Sequence, residues 1–298
     1  MHQKVFMRIV NDLSSEYQHF SLRHDAAKSV GLSPIQKCTA GIRMFAYGMP
    51  GDACDEYVKI SASTIIEFLK QFCKEVIHLY EGIYLRKPNA EDLERLLRVV
   101  EDHGFPGMIS SIDCMHWEWR NYPVGWQGQF RGGHHGAATI ILEAVASFDI
   151  WHAFFGLPST LNDINVLDRS PVFDFRARWP TFIQSIRNPQ GEMEKLFMER
   201  HETYRKHVER AFGVLQSRFQ IIQESARLWD LDDLSTIMRT CIILHNMIVE
   251  DERATYGYNQ GVVDYEQPKI DRSSSAFQYT TNNDLIPHIW QNFGFNQI

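Results

Sequence analysis

The sequence predicts an α/β protein in which a mixed sheet is flanked by helices and preceded by an all-helical region. Three observations predict it. Up to about residue 104, apolar residues recur at helical spacing. From 105 to 155 they fall instead into short runs rich in Ile, Val, Phe and Trp, separated by Gly and polar turns, which is a strand pattern. From 191 to 250 helical spacing returns in long stretches. The divisions expected are therefore a helical, helix-turn-helix-like region over 1–104, a sheet domain over 105–251, and a polar tail over 252–298 with a short apolar end.

The first region reads as a helix through 1–30, with Val5, Phe6, Ile9, Val10 and Leu13 on one stripe. Ser33 and Pro34 suit the cap and first residue of the next helix, which should stop near Gly48. A short helix over 52–57 and a longer one capped by Ser61 have the outline of a helix-turn-helix, with Ser63, Thr64 and Glu67 near the start of its second helix; an ordinary helical bundle is the alternative. Asn89 suits the cap of another amphipathic helix. Strands are expected over 108–119, 139–146 and 150–155, close enough in sequence for an antiparallel meander. A short helix should open at Asp163. Two long helices should follow, over 191–222 with a break near His201 and over 231–250.

Composition narrows the class. The chain is 44% hydrophobic and 22% charged, as a globular domain is. No apolar run reaches the roughly 18 residues of a membrane span. Its five cysteines are odd in number and show no CxxC spacing, so free thiols are expected rather than disulfides or a zinc cluster. The net charge of −7 is unlike a protein whose main task is to clamp nucleic acid, so any DNA grip must be local or come from a partner.

Against that background one acid is out of place. Asp113 sits in the apolar run Met108–Trp119, where a carboxylate is disfavoured by strand geometry and costly to bury alone. Asp163 and Glu209 are further acids beside apolar residues. Strands, then a helix, then a long acid-bearing helix is the element order of an RNase-H-like domain. There, carboxylates hold divalent metals ~3.5–4 Å apart for phosphodiester chemistry, because Mg²⁺ and Mn²⁺ take hard oxygen ligands. Each acid has a plainer alternative. Asp113 could be satisfied by backbone amides, Asp163 could be a helix N-cap, and Glu209 could pair with Arg205 one turn away.

Longer blocks add a resemblance. Leu32–Thr39, Tyr84–Ala90, Gly104–Gly107, Ser111-Ile-Asp-Cys-Met-His-Trp117, Trp151-His-Ala-Phe-Phe-Gly156, Leu161-Asn-Asp-Ile-Asn-Val-Leu-Asp168, Val208-Glu-Arg-Ala-Phe-Gly-Val-Leu-Gln216 and Ile243–Ile248 resemble the DDE-type nuclease of PIF/Harbinger transposases, above all plant proteins derived from them. The resemblance spans the chain to about Asp251. It implies an RNase-H-like fold and metal-dependent cutting and joining of DNA, with Asp113, Asp163 and Glu209 as catalytic metal ligands and Mg²⁺ or Mn²⁺ as cofactor. It also implies a Myb-like partner that brings DNA binding and import to the nucleus, cytoplasm being the other compartment; no membrane association is expected, on the ground of the missing apolar run. His116 is a candidate substrate contact, with a structural histidine as the alternative.

The chain departs from the family in one place that bears on function. Family members carry, between the second and third motifs, a segment with an acid beside Gly followed soon by Tyr-Pro. Here Phe173-Asp-Phe-Arg-Ala-Arg178 runs straight into Trp179-Pro-Thr-Phe182, so a strand and its acid are expected to be missing, with Asp168 and Asp174 as the nearby substitutes. The turn before Trp151 also looks shortened. A nuclease of the Harbinger type is therefore weighed against a catalytically inactive relative that binds DNA or chromatin proteins. A purely helical DNA-binding regulator is a third, more distant reading.

Overall fold

The computed structural model describes residues 1–24, 28, 30–48, 62–102, 105, 107–131, 136–146, 149–171, 183 and 185–256. Helix α1 (Gln3–Glu16) buries Val5, Ile9, Val10 and Leu13. It stops well short of residue 30. The Ser14 and Ser15 hydroxyls donate back to the carbonyls of Val10 and Asp12, a local alternative to helix continuation, and Tyr17 is already extended.

Helix α2 (Pro34–Tyr47) has the cap expected of Ser33, whose side chain accepts from Gln36 N while the Gln36 side chain returns to Ser33 N. It ends on Gly48 at φ 59°, a left-handed conformation that suits glycine. A Cβ there would also meet the Gln220 carbonyl oxygen at 3.1 Å. Ser33→Ala should cost about 1 kcal/mol, measurable as a lower urea midpoint; no shift would mean that the cap does not contribute.

Helix α3 (Ala62–Tyr84) is the longer helix of the expected helix-turn-helix. The short helix over 52–57 and the turn before Ser61 lie outside the described residues. Helix α4 (Ala90–Asp102) opens on Asn89, whose Oδ1 accepts from Asp92 N at 2.8 Å.

Among the described residues the sheet has three strands, β1 (Ser111–Glu118), β2 (Thr139–Ala146) and β3 (Ile150–Pro158), in the order β1-β2-β3 with both pairings antiparallel. The meander is as expected, but among the described residues the sheet is not mixed. The link between β2 and β3 is too short for the crossover that a parallel pair needs, and parallel pairing is confined to an isolated Trp119–Ala226 bridge.

Short helix α5 (Gln127–Phe130) lies between β1 and β2, and α6 (Asp163–Leu167) follows β3. Helix α7 (Glu192–Arg218) is unbroken at His201; the chain turns instead at Phe219 (φ −126°, ψ 90°), before the single turn α8 (Gln220–Gln223). Helix α9 (Leu231–Tyr256) runs past the expected boundary at 251, its last turns tied down by Arg218–Glu252 at 2.6 Å and Arg253–Asp149 at 2.7 Å. Residues 257–298, most of the expected tail, are outside the described residues. No described helix is long and apolar enough to cross a membrane.

Side chains alternate across a strand. Met115 and Trp117 of β1, with Ile140, Leu142 and Ala144 of β2, join the main core shared with α1, α3, α7 and α9. Helix α9 carries most of this assembly, packing on α3, β3, α7 and α1. The other sheet face holds Cys114, Ile141, Glu143 and Val145. Among the described residues β1 is an edge strand, bridged only at its end by Ala226, so groups from both faces can meet around that edge.

Candidate functional site at the free edge of the sheet

Asp113 shares the sheet face of Met115, against which α7 packs; Ser111, on the same face, donates to the Tyr204 carbonyl at 3.4 Å. The Asp113 carboxylate is half-buried and accepts from its neighbour's amide, Cys114 N, at 2.9 Å. Burial pushes its pKa up, opposed by the Cys114 amide and Arg205; the negative charges of Asp163 and Glu209 push it further up. The other two sequence-predicted acids, Asp163 of α6 and Glu209 of α7, thus both act on Asp113 of β1.

Asp163 is the first residue of α6, but the cap is Asn162, whose Oδ1 accepts from Asn165 N at 2.8 Å. The N-cap alternative for Asp163 therefore falls to the residue before it. Asp163 is exposed and interacts with the Cys114 side chain. Cys114 lies on the opposite sheet face from Asp113. Its thiol is pushed up first by burial, then by Asp163, Glu143 and Asp113.

Glu209 approaches from the other side. It is 43% exposed and pairs with Arg205 at 3.0 Å, as its plainer reading expected. Arg205 also reaches Glu202 at 3.5 Å. Its guanidinium is held more firmly charged by Glu202 first, then by Glu209 and Asp113, against partial burial. Arg205 is thus the cation at the centre of this acid group, a part that sequence reasoning gave only to its pairing with Glu209.

The donor chemistry suits a hard divalent cation. The spacing does not. Among the described residues no group of three or more His, Cys, Asp or Glu is gathered closely enough to hold a metal ion. The acids converge at the range of charge–charge coupling and not at ligand distance. Of the substitutes, Asp168 caps the end of α6 and Asp174 lies outside the described residues. His116 lies within 3.1 Å of the Thr139 hydroxyl across the β1–β2 pair.

Sequence reasoning missed Glu143. It is 1% exposed at the centre of β2, directly opposite Cys114. Its Oε1 accepts from the Ser170 hydroxyl at 2.6 Å and lies 3.6 Å from His152 Nε2, while among the described residues Oε2 has no hydrogen-bond partner. An acid inside the apolar run Thr139–Ala146 was the same signal that singled out Asp113.

A family model described as plant transposon protein matches residues 82–177 and 175–256. The match breaks into two pieces that meet at 175–177, the place where a segment was expected to be missing. No curated protein and no solved structure matches.

Proposed function

The chain belongs to the plant transposon protein family, and on that premise we propose that it derives from a Harbinger-type transposase and acts on DNA through Asp113, Asp163 and Glu209. The observation that carries the proposal is the convergence of these acids. Two elements remote in sequence, α6 and α7, bring the charges of Asp163 and Glu209 onto the Asp113 carboxylate, whose pKa burial already raises, an arrangement that stability alone does not favour. The element order and the antiparallel meander agree with an RNase-H-like ancestry, although the described sheet has only three strands. A divalent Mg²⁺ or Mn²⁺ held by these donors would supply Lewis-acid chemistry at a phosphodiester. The chain's own contribution is to keep Asp113 half-desolvated on a rigid strand and to balance the acids with Arg205. DNA as substrate, a Myb-like partner and residence in the nucleus belong to the same proposal; imaging the chain with and without that partner tests the last two.

A second reading has its own support. The acids are not at ligand distance, and the family match breaks at 175–177. Both favour a relative that keeps the scaffold, has stopped cutting, and serves as a DNA- or chromatin-associated binding protein. The deciding experiment incubates terminal-repeat DNA with Mg²⁺ or Mn²⁺ and compares wild type with Asp113→Ala. Metal-dependent cutting above the Asp113→Ala background is expected of a nuclease; equal, background-level products from both proteins would remove the enzyme and leave the second reading.

A further inference from the structure

Away from the acids, two indoles stand in solvent. Trp229 is 65% and Trp126 is 41% exposed. Together with Leu231, Asp230 and Asp232 they line one groove of about 460 Å³. The walls come from distant parts of the chain, the turn Val124–Trp126 and the approach to α9.

Both walls are braced by the same buried side chain. Trp126 stacks on Phe130 with ring centroids 5.8 Å apart and meets Trp119 at 6.0 Å. Trp119 is 1% exposed, and its Nε1 donates to the Leu228 carbonyl at 2.9 Å. Leu228 is the residue before Trp229. The Trp126 wall and the backbone leading into Trp229 are therefore held in place, which limits the ordering that binding requires. Two indoles exposed along one groove differ from the singly scattered surface hydrophobics that need no explanation.

Charge decides what fits. Asp230 and Asp232 are exposed, and among the described residues neither carboxylate has an ion-pair partner. Their neighbour Asp233 is already paired with Lys70 at 2.5 Å, and the adjacent Arg227 is held by Glu224 at 3.1 Å. Asp230 Oδ1 also accepts from Asp232 N at 2.9 Å, which fixes one acid beside the groove; the Lys70 ammonium, paired with Asp233, offsets part of the Asp230 charge without forming an ion pair with it. Indole faces attract cations, and the two carboxylates add to that attraction while repelling phosphate. We propose that this groove binds a lysine or arginine side chain carried by a peptide segment of a partner protein.

The test is calorimetric titration of the full chain with a short Lys/Arg-bearing peptide and with its Glu-substituted counterpart, at low and at physiological salt. The basic peptide should bind saturably and the acidic one should not. Trp229→Ala should weaken binding about tenfold, consistent with a desolvated cation–π contact, and Trp229→Phe should retain most of it. Asp232→Asn should also weaken it. Equal binding by wild type and Trp229→Ala would reduce the groove to a diffuse acidic surface and overturn the proposal. So would the absence of peptide binding, or a Trp229-dependent preference for duplex DNA. Because Trp229 is so exposed, loss of fold is not expected to confuse the comparison, and the Phe variant controls for it.

Discussion

Asn246→Ala is expected to lower the unfolding free energy by about 3 kcal/mol or more, since each buried backbone group left without a partner costs roughly 1–3 kcal/mol. Asn246 is buried in α9 and bonds three backbone groups at once. Its Oδ1 accepts from Ile150 N at 3.0 Å, and its Nδ2 donates to Ile150 O at 2.8 Å and to Tyr84 O at 2.7 Å. One side chain thereby continues the hydrogen bonding of β3 where that strand begins, and ties the end of α3 to it. The helical region and the sheet meet at this residue. The substitution leaves the buried Ile150 amide and carbonyl without these partners, and the part-buried Tyr84 carbonyl without its one. Equilibrium denaturation measures the loss, and hydrogen exchange at the Ile150 amide should accelerate beyond what the global change explains. A loss below about 1 kcal/mol, within the net value of one ordinary hydrogen bond, would mean that the Asn246 hydrogen bonds contribute little to joining the two regions.

Asn246 also shows where reading the chain stops. The helices over 34–47 and 90–102 and the strand over 139–146 were legible because caps and apolar periodicity are local signals. The ends that were misplaced depend on something local but subtler, or on partners far away. Two serine hydroxyls turned onto the backbone shorten α1, and ion pairs from Arg218 and Asp149 lengthen α9 past residue 251. The acids were legible as residues out of place, Asp113 most clearly. Their arrangement was not, because it depends on Arg205 standing among them and on Asn162 taking the cap that Asp163 was expected to make. Glu143 carried the same strand-acid signal and went unread, since its partners Ser170 and His152 lie in other segments. Asn246 sits in the block Ile243–Ile248 and has no local signature at all; a polar residue on a buried helix face could bond anything.

Asp113→Asn should separate chemistry from stability, because the two effects run in opposite directions. The folded-state pKa of Asp113 is raised above its ordinary value, by burial first and then by Asp163 and Glu209. Below the unfolded carboxylate pKa, about 3.9, the group is neutral in both states and contributes no penalty. As pH rises from there through the raised folded value, the unfolded chain ionises more readily than the folded one, and stability is lost. The asparagine variant has no such loss. It should equal wild type in acid and exceed it at pH 7, read from urea midpoints across that window. Arg205→Gln should act the other way at pH 7, since it removes the cation that lowers the Asp113 pKa and pairs with Glu209. The cost should stay within about 1 kcal/mol, because that pair is half in solvent. On the nuclease reading, Arg205→Gln should also increase the thermal stabilisation given by Mg²⁺, since the metal no longer competes with a guanidinium for the same acids. Asp113→Asn should abolish that stabilisation and reduce cutting by more than about 100-fold, the upper range for losing a mere supporting residue around a metal. A stabilised Asp113→Asn protein that has lost cutting identifies an acid kept for chemistry at a cost to the fold. If Asp113→Asn is more stable and the wild type neither cuts DNA nor responds to Mg²⁺, the same strain is an inheritance, and Arg205 is the cation with which this site now makes do.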